Sequence, residues 1–115
     1  MGSSQTKPEF VSYLVDQNVA AGQDVTLRCE ANTGEVTAKW EKNGRSLESM
    51  GSKYTTRQCG ATFTLIIRNT TKQDEGKYTI SLWNEAGSAS CSAMVTVDMR
   101  FMLASAQGHL MRPYL

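Results

Sequence analysis

Three cysteines, one histidine and one adjacent pair of carboxylates are the residues of this chain that could do chemistry. They are Cys29, Cys59, Cys91, His109 and Asp74-Glu75. Thiols offer nucleophilic, redox or metal-binding chemistry. Their spacing argues against the last: no Cys-x-x-Cys occurs, so metal binding has no support. With His109 alone, a serine or cysteine nucleophile has no natural base near neutral pH. Adjacent residues on an extended turn face different ways, so Asp74 and Glu75 do not form a working acid/base pair. Glycine-rich phosphate motifs are absent. The chain is read as non-catalytic, with no catalytic residue, no cofactor and no metal. Its thiols are read as structural, Cys59 being the one expected at an exposed turn.

The elements that must position these residues are short and alternating. With 115 residues, the chain suffices for one domain with a real core and not for two. Its formal charge of +1 gives no electrostatic reason to expect nucleic acid or an anionic membrane surface as partner. No apolar run approaches the roughly 20 residues of a membrane span. The polar opening, residues 1–7, reads as a tag or linker.

From Asp24 to Ala31, Val25, Leu27 and Cys29 alternate with polar residues, the signature of a half-buried strand. Pro8 to Leu14 reads as an edge strand, interrupted at Asp16-Gln17-Asn18 and resumed at Val19-Ala20. Thr37 to Lys42 places Ala38 and Trp40 inward, and Asn43-Gly44 is a strong hairpin signal. Tyr54 to Gln58 and Ala61 to Arg68 form a second hairpin, with Phe63, Leu65 and Ile67 inward. Gly76 to Asn84 and Ser88 to Val97 form the last, with Cys91, Ala93, Val95 and Val97 sharing the inward parity. Seven or eight strands at regular spacing predict an all-β antiparallel sandwich.

Within the last hairpin, Tyr78 shares a face with Ile80 and Leu82. A buried tyrosine needs a hydroxyl partner, and the turn before it supplies backbone within reach. Asp74-x-Gly76-x-Tyr78 thus resembles the tyrosine corner of an immunoglobulin sandwich. Trp40, and Cys29 eleven residues before it, strengthen the match. With Leu65-x-Ile67 and Asn84-x-x-Gly87, these residues resemble the intermediate-set (I-set) immunoglobulin domains of intracellular muscle proteins: titin, myosin-binding protein C, obscurin and their relatives. The match covers residues 8–97, leaving 98–115 as a C-terminal extension.

That resemblance implies a Greek-key sandwich whose structural hallmarks are Cys29, Trp40, Leu65, Asp74, Gly76 and Tyr78. It places the usual second cysteine at the position held by Ile80, so no inter-sheet disulfide is expected, which fits a reducing, cytoplasmic setting. Thr70 stands where the family has an apolar residue, implying a slightly loose end of the core. The implied function is a structural protein-protein interaction module of a sarcomeric or cytoskeletal scaffold, with myosin, actin, titin or related giant muscle proteins as partners. The domain itself is expected to be a monomer or a weak edge-strand dimer. The rival is an extracellular immunoglobulin domain of an adhesion molecule or receptor, which would use the sequon Asn69-Thr70-Thr71.

Two candidate contact regions follow from the residues themselves. Trp83 has outward parity, and aromatic anchors dominate protein interfaces. In the extension, Met99, Met102 and Leu103 fall at helical spacing behind Asp98. This is either a short amphipathic helix with a methionine-rich face or a linker.

Overall fold

Alternation in the sequence becomes alternation in burial. In Val25–Ala31 every second residue is buried and every other one exposed. The same period runs through Thr62–Ile67, where Phe63, Leu65 and Ile67 are all 1% exposed or less. The computed structural model describes residues 5–47 and 53–99. Among these, nine strands follow in chain order. They are β1 (Phe10–Ser12), β2 (Gln17–Ala20), β3 (Val25–Ala31), β4 (Thr37–Lys42), β5 (Arg45–Ser46), β6 (Tyr54–Cys59), β7 (Thr62–Ile67), β8 (Gly76–Asn84) and β9 (Gly87–Asp98).

The strands form two sheets, ordered β1-β3-β7-β6 and β2-β9-β8-β4-β5. The β3-to-β4 and β7-to-β8 connections both cross between sheets, which gives the Greek key of an immunoglobulin sandwich. Register places Leu27 opposite Leu65 in one sheet and Trp40 opposite Ile80 in the other. These inward rows make one core, in which Leu27, Leu65, Ile67, Tyr78, Ile80 and Leu82 are fully buried. Burying such side chains is the main stabilising term of the fold. The β4–β5 hairpin turns at Asn43 (φ 52°) and Gly44 (φ 85°), the pair of positive φ values that an Asn-Gly type I′ turn requires.

Three expectations need correction. The first strand is not a single interrupted edge: β1 pairs with β3 in one sheet, whereas β2 pairs with β9 in the other. Gln17 and Asn18, read as the interruption, lie inside β2, and the break falls at Tyr13–Asp16. The cause is Leu14, which turns into the core at 7% exposure, while the Asp16 carboxylate accepts the Met94 amide at 2.9 Å. Second, the sandwich is not wholly antiparallel, since β2 runs parallel to β9.

Third, Thr70 does not loosen the core. It is 1% exposed. Its hydroxyl donates to the Gln23 carbonyl at 2.8 Å, its amide donates to the same oxygen at 3.0 Å, and its carbonyl accepts from Gly22 at 2.7 Å. A buried hydroxyl with its hydrogen bonds made costs little. The second hairpin also shifts slightly: β6 extends to Cys59 and β7 starts at Thr62. Residues 1–4 of the expected tag or linker and residues 100–115 of the C-terminal extension lie outside the described residues.

Candidate protein-binding surface

The turn ahead of β8 shows how the hallmark residues divide their work. Lys72–Asp74 is a single 3-10 turn capped by Thr71. The Asp74 carboxylate accepts the Thr71 amide at 2.7 Å and pairs with the Lys53 ammonium at 2.6 Å. The Tyr78 hydroxyl donates to the Asp74 carbonyl at 2.6 Å, closing the tyrosine corner. Burial above all, with the neighbouring Tyr54 oxygen, pushes the Tyr78 phenol well above its ordinary value, so it stays a donor. The two rings pack at a centroid distance of 6.5 Å. Gly76 has φ 157°, and a Cβ there would sit 2.8 Å from the Asn43 side chain.

Glu75 points away from Asp74, as adjacency on a turn dictates. Its carboxylate accepts the Val97 amide at 2.8 Å and the Lys72 ammonium at 3.0 Å. The Val97 hydrogen bond, then Lys72, hold its carboxyl below the ordinary 4.5. A depressed folded pKa contributes stability that is present above pH 4.5 and is lost as pH falls through the lowered value. Glu75→Gln is therefore expected to flatten the acid limb of a plot of melting temperature against pH below 4.5. An acid limb identical to that of the parent chain would contradict this role.

Cys29, Trp40, Leu65, Asp74 and Tyr78 are all buried, at 7% exposure or less. They build the scaffold and present nothing to a partner. All three cysteines are free, with Cys59 exposed at the end of β6, Cys29 buried and Cys91 half-buried.

Trp83 is different. It lies near the end of β8, opposite Ser88 and Thr37 in its two neighbour strands. It is 40% exposed. Beside it is a shallow hollow of about 730 Å³ lined by Gln5, Glu35, Val36, Thr37, Asn84 and Glu85. The Asn84 side chain builds this pole of the domain. Its oxygen accepts the Ala86 amide at 2.8 Å and the Gly87 amide at 3.2 Å, closing the β8–β9 turn. Its amide nitrogen donates to the Glu35 carbonyl at 3.1 Å and to the Thr6 carbonyl at 2.8 Å. The Glu85 amide donates to the Gln5 side chain at 3.0 Å. Two loops and the incoming chain are thus tied together around an exposed indole.

The other contact candidates are not brought to this place. Met99 is half-buried and follows β9 at its far end, where Asp98 pairs with Ala20. Ten residues of strand, about 33 Å, separate Asp98 from the Ser88 that faces Trp83. Met102 and Leu103 lie outside the described residues. The sequence reading missed Glu35, Glu85 and the hollow itself, because the crossover loop between β3 and β4 meets the β8–β9 turn there. It also missed the exposed apolar side chains Val11, Tyr13 and Val15, which the unforeseen switch between sheets turns outward.

A two-sheet Greek-key sandwich with a tyrosine corner and a core tryptophan defines an immunoglobulin-type domain. Residues 8–97 match the family model of the immunoglobulin I-set domain, and the chain belongs to that family. It is 31% identical over 93 residues to the muscle M-line assembly protein unc-89 of Caenorhabditis elegans, covering 81% of this chain and 1% of unc-89. It is 34% identical over 92 residues to palladin of Rattus norvegicus, covering 78% of this chain and 15% of palladin. Among solved structures, the titin M3 domain superposes with a TM-score of 0.76 at 32% identity, covering 82% of this chain and 99% of M3. The complex of titin M10 with an obscurin-like 1 immunoglobulin domain matches with a TM-score of 0.75 at 26% identity, covering 81% and 95%. The chain spans only a small part of the length of its curated relatives.

Proposed function

We propose that this domain is a structural protein-protein interaction module of a sarcomeric or cytoskeletal scaffold, working in the cytoplasm. Its partners are filament or giant muscle proteins of the myosin, actin or titin kind, and it performs no catalysis. The relatives support the setting: one is named for M-line assembly, and another is a chain of the complex between titin M10 and an obscurin-like 1 immunoglobulin domain.

The observation that carries the reading is Trp83, exposed beside a hollow flanked by Glu35 and Glu85. A tryptophan face bordered by carboxylates suits a partner surface that offers aliphatic and cationic side chains. The indole supplies apolar area and a cation-binding face, and the carboxylates supply charge. Sandwich strands present such a site rigidly, so little ordering entropy is lost on docking.

The test is affinity capture from striated-muscle extract by the whole chain and by Trp83→Ala, with the captured proteins identified by mass spectrometry. A filament protein enriched by the parent chain and depleted by Trp83→Ala is the expected result. Equal enrichment by both would move the contact off Trp83. Enrichment lost only on removing residues 98–115 would place it on Met99, Met102 and Leu103.

A further inference from the structure

The two ends of the sandwich carry opposite charge. At the end where the chain enters, Glu9, Glu35 and Glu85 are exposed, and none of them makes an ion pair among the described residues. Glu35 and Glu85 line the hollow beside Trp83. Lys7 is the cation beside them, its stem lying over Gly87. The opposite end is built by the β4–β5 turn, the residues that follow β7 and the start of β8. It presents Arg45, Arg68 and Lys77, also exposed and also without an ion pair among the described residues. Next to them the Lys42 ammonium donates to the Gln73 carbonyl. The carboxylates nearby are engaged at home. Asp74 is buried against Lys53, Glu75 holds Lys72 and the Val97 amide, and Asp24 accepts the Asn69 amide at 2.8 Å.

These ends cannot satisfy each other within one molecule. The 9 residues of β8 hold them about 30 Å apart, several times the distance over which exposed charges are felt at physiological salt. We propose that the acidic end, with Trp83, docks on the basic end of a second copy of this chain, so that copies join head to tail. Complementarity carries the choice of partner. The Trp83 hollow suits aliphatic and cationic side chains, and Arg45 and Lys77 each offer an aliphatic stem with a charged head. A cationic head over the indole face adds cation–π attraction, and Glu35 and Glu85 supply the counter-charge. This names a partner for the Trp83 surface and rests on that surface being a contact site.

The contact is heterologous, because each copy contributes a different surface. One end of every copy stays free for the next, so the assembly grows as an open chain instead of closing as a dimer. The contact is also small. Five strands about 4.8 Å apart make an end roughly 24 Å wide, which keeps it among the weak, transient contacts that bury less than about 1,200 Å². Exposed ion pairs contribute little singly and are screened by salt. Association is therefore expected at high protein concentration and low ionic strength. Charge decides which ends meet, since like ends repel.

The test is sedimentation equilibrium of the full chain over a range of concentrations, at ionic strengths of about 0.01 M and about 1 M, between which the screening length falls from about 30 Å to about 3 Å. The weight-average mass should climb past two copies in low salt and fall to one copy in high salt. Two variants each reverse one end: Glu35→Lys with Glu85→Lys, and Arg45→Glu with Lys77→Glu. All four positions are exposed, so both variants should melt close to the parent chain. Each alone should remain a single copy. An equal mixture should associate again, because the reversed acidic end of one variant meets the reversed basic end of the other. A parent chain that stays a single copy throughout would overturn the proposal. So would a mass that stops at two copies, as an edge-strand dimer would, or a mixture that stays dissociated. A parent chain that never self-associates yet captures a filament protein through Trp83 would sink the head-to-tail contact and leave the proposed function standing.

Discussion

Trp40→Ala is expected to cost the domain about 3–5 kcal/mol, the usual loss for removing a large aromatic side chain from a packed core. Trp40 is 7% exposed and lies opposite Ile80 in the same core cluster as Cys29 and Leu65. Its removal leaves a cavity between sheets that the strand ladders prevent from collapsing. A domain of this size holds only about 5–15 kcal/mol in total, so roughly a fifth or more of the stability goes with one side chain. In urea the unfolding midpoint should fall steeply with little change in slope. The comparison with Trp83→Ala is the informative one, because chemistry is constant and only position differs. That substitution, at an exposed site, should move stability by about 0.5 kcal/mol or less. Similar losses at the two positions would contradict the assignment of one tryptophan to the core and the other to the surface.

Tyr78→Phe is expected to cost about 1–3 kcal/mol. The ring remains in place against Tyr54, so the packing contribution survives. What disappears is the donor that satisfies the Asp74 carbonyl at 2.6 Å. A buried acceptor left without its partner costs more than an average hydrogen bond contributes, because its desolvation is not recovered. The turn that carries Asp74 is also tied through Thr71 and Lys53, so it is not free to move toward water. Chemical denaturation of the pair reads the difference directly. A phenylalanine variant as stable as the parent chain would show that the corner is ornamental and that only the ring matters.

Much of this scaffold is legible in the sequence, and the reasons are local. Period-two alternation marks β3 and β7, because one face of each must be buried. Asn43-Gly44 marks its hairpin, because few other residue pairs accept positive φ twice. Asp74, Gly76 and Tyr78 mark the corner, because their roles are fixed by five consecutive residues. The parts that stayed hidden are non-local. The switch of the first strand between sheets depends on Leu14 finding the core and on Asp16 meeting Met94, 78 residues away. Thr70 looked like a flaw, because its hydrogen-bond partners lie on the loop around Gln23, 47 residues earlier.

The site follows the same division. The outward parity of Trp83 could be read by counting along β8. Glu35 becomes its neighbour only once the β3–β4 loop is packed beside the β8–β9 turn. The inward parity of Cys91 was equally readable.

The measurement that bears most directly on the central claim is the dissociation constant of a captured filament protein, purified, for the parent chain and for Trp83→Ala. Both must first be shown to melt within a few degrees of one another, so that folding and binding are separated. An exposed tryptophan acting as an interface anchor predicts a loss of affinity of tenfold or more, the scale of a hot-spot residue. Equal affinity at matched stability would contradict the account and leave the Trp83 pole with no part in binding.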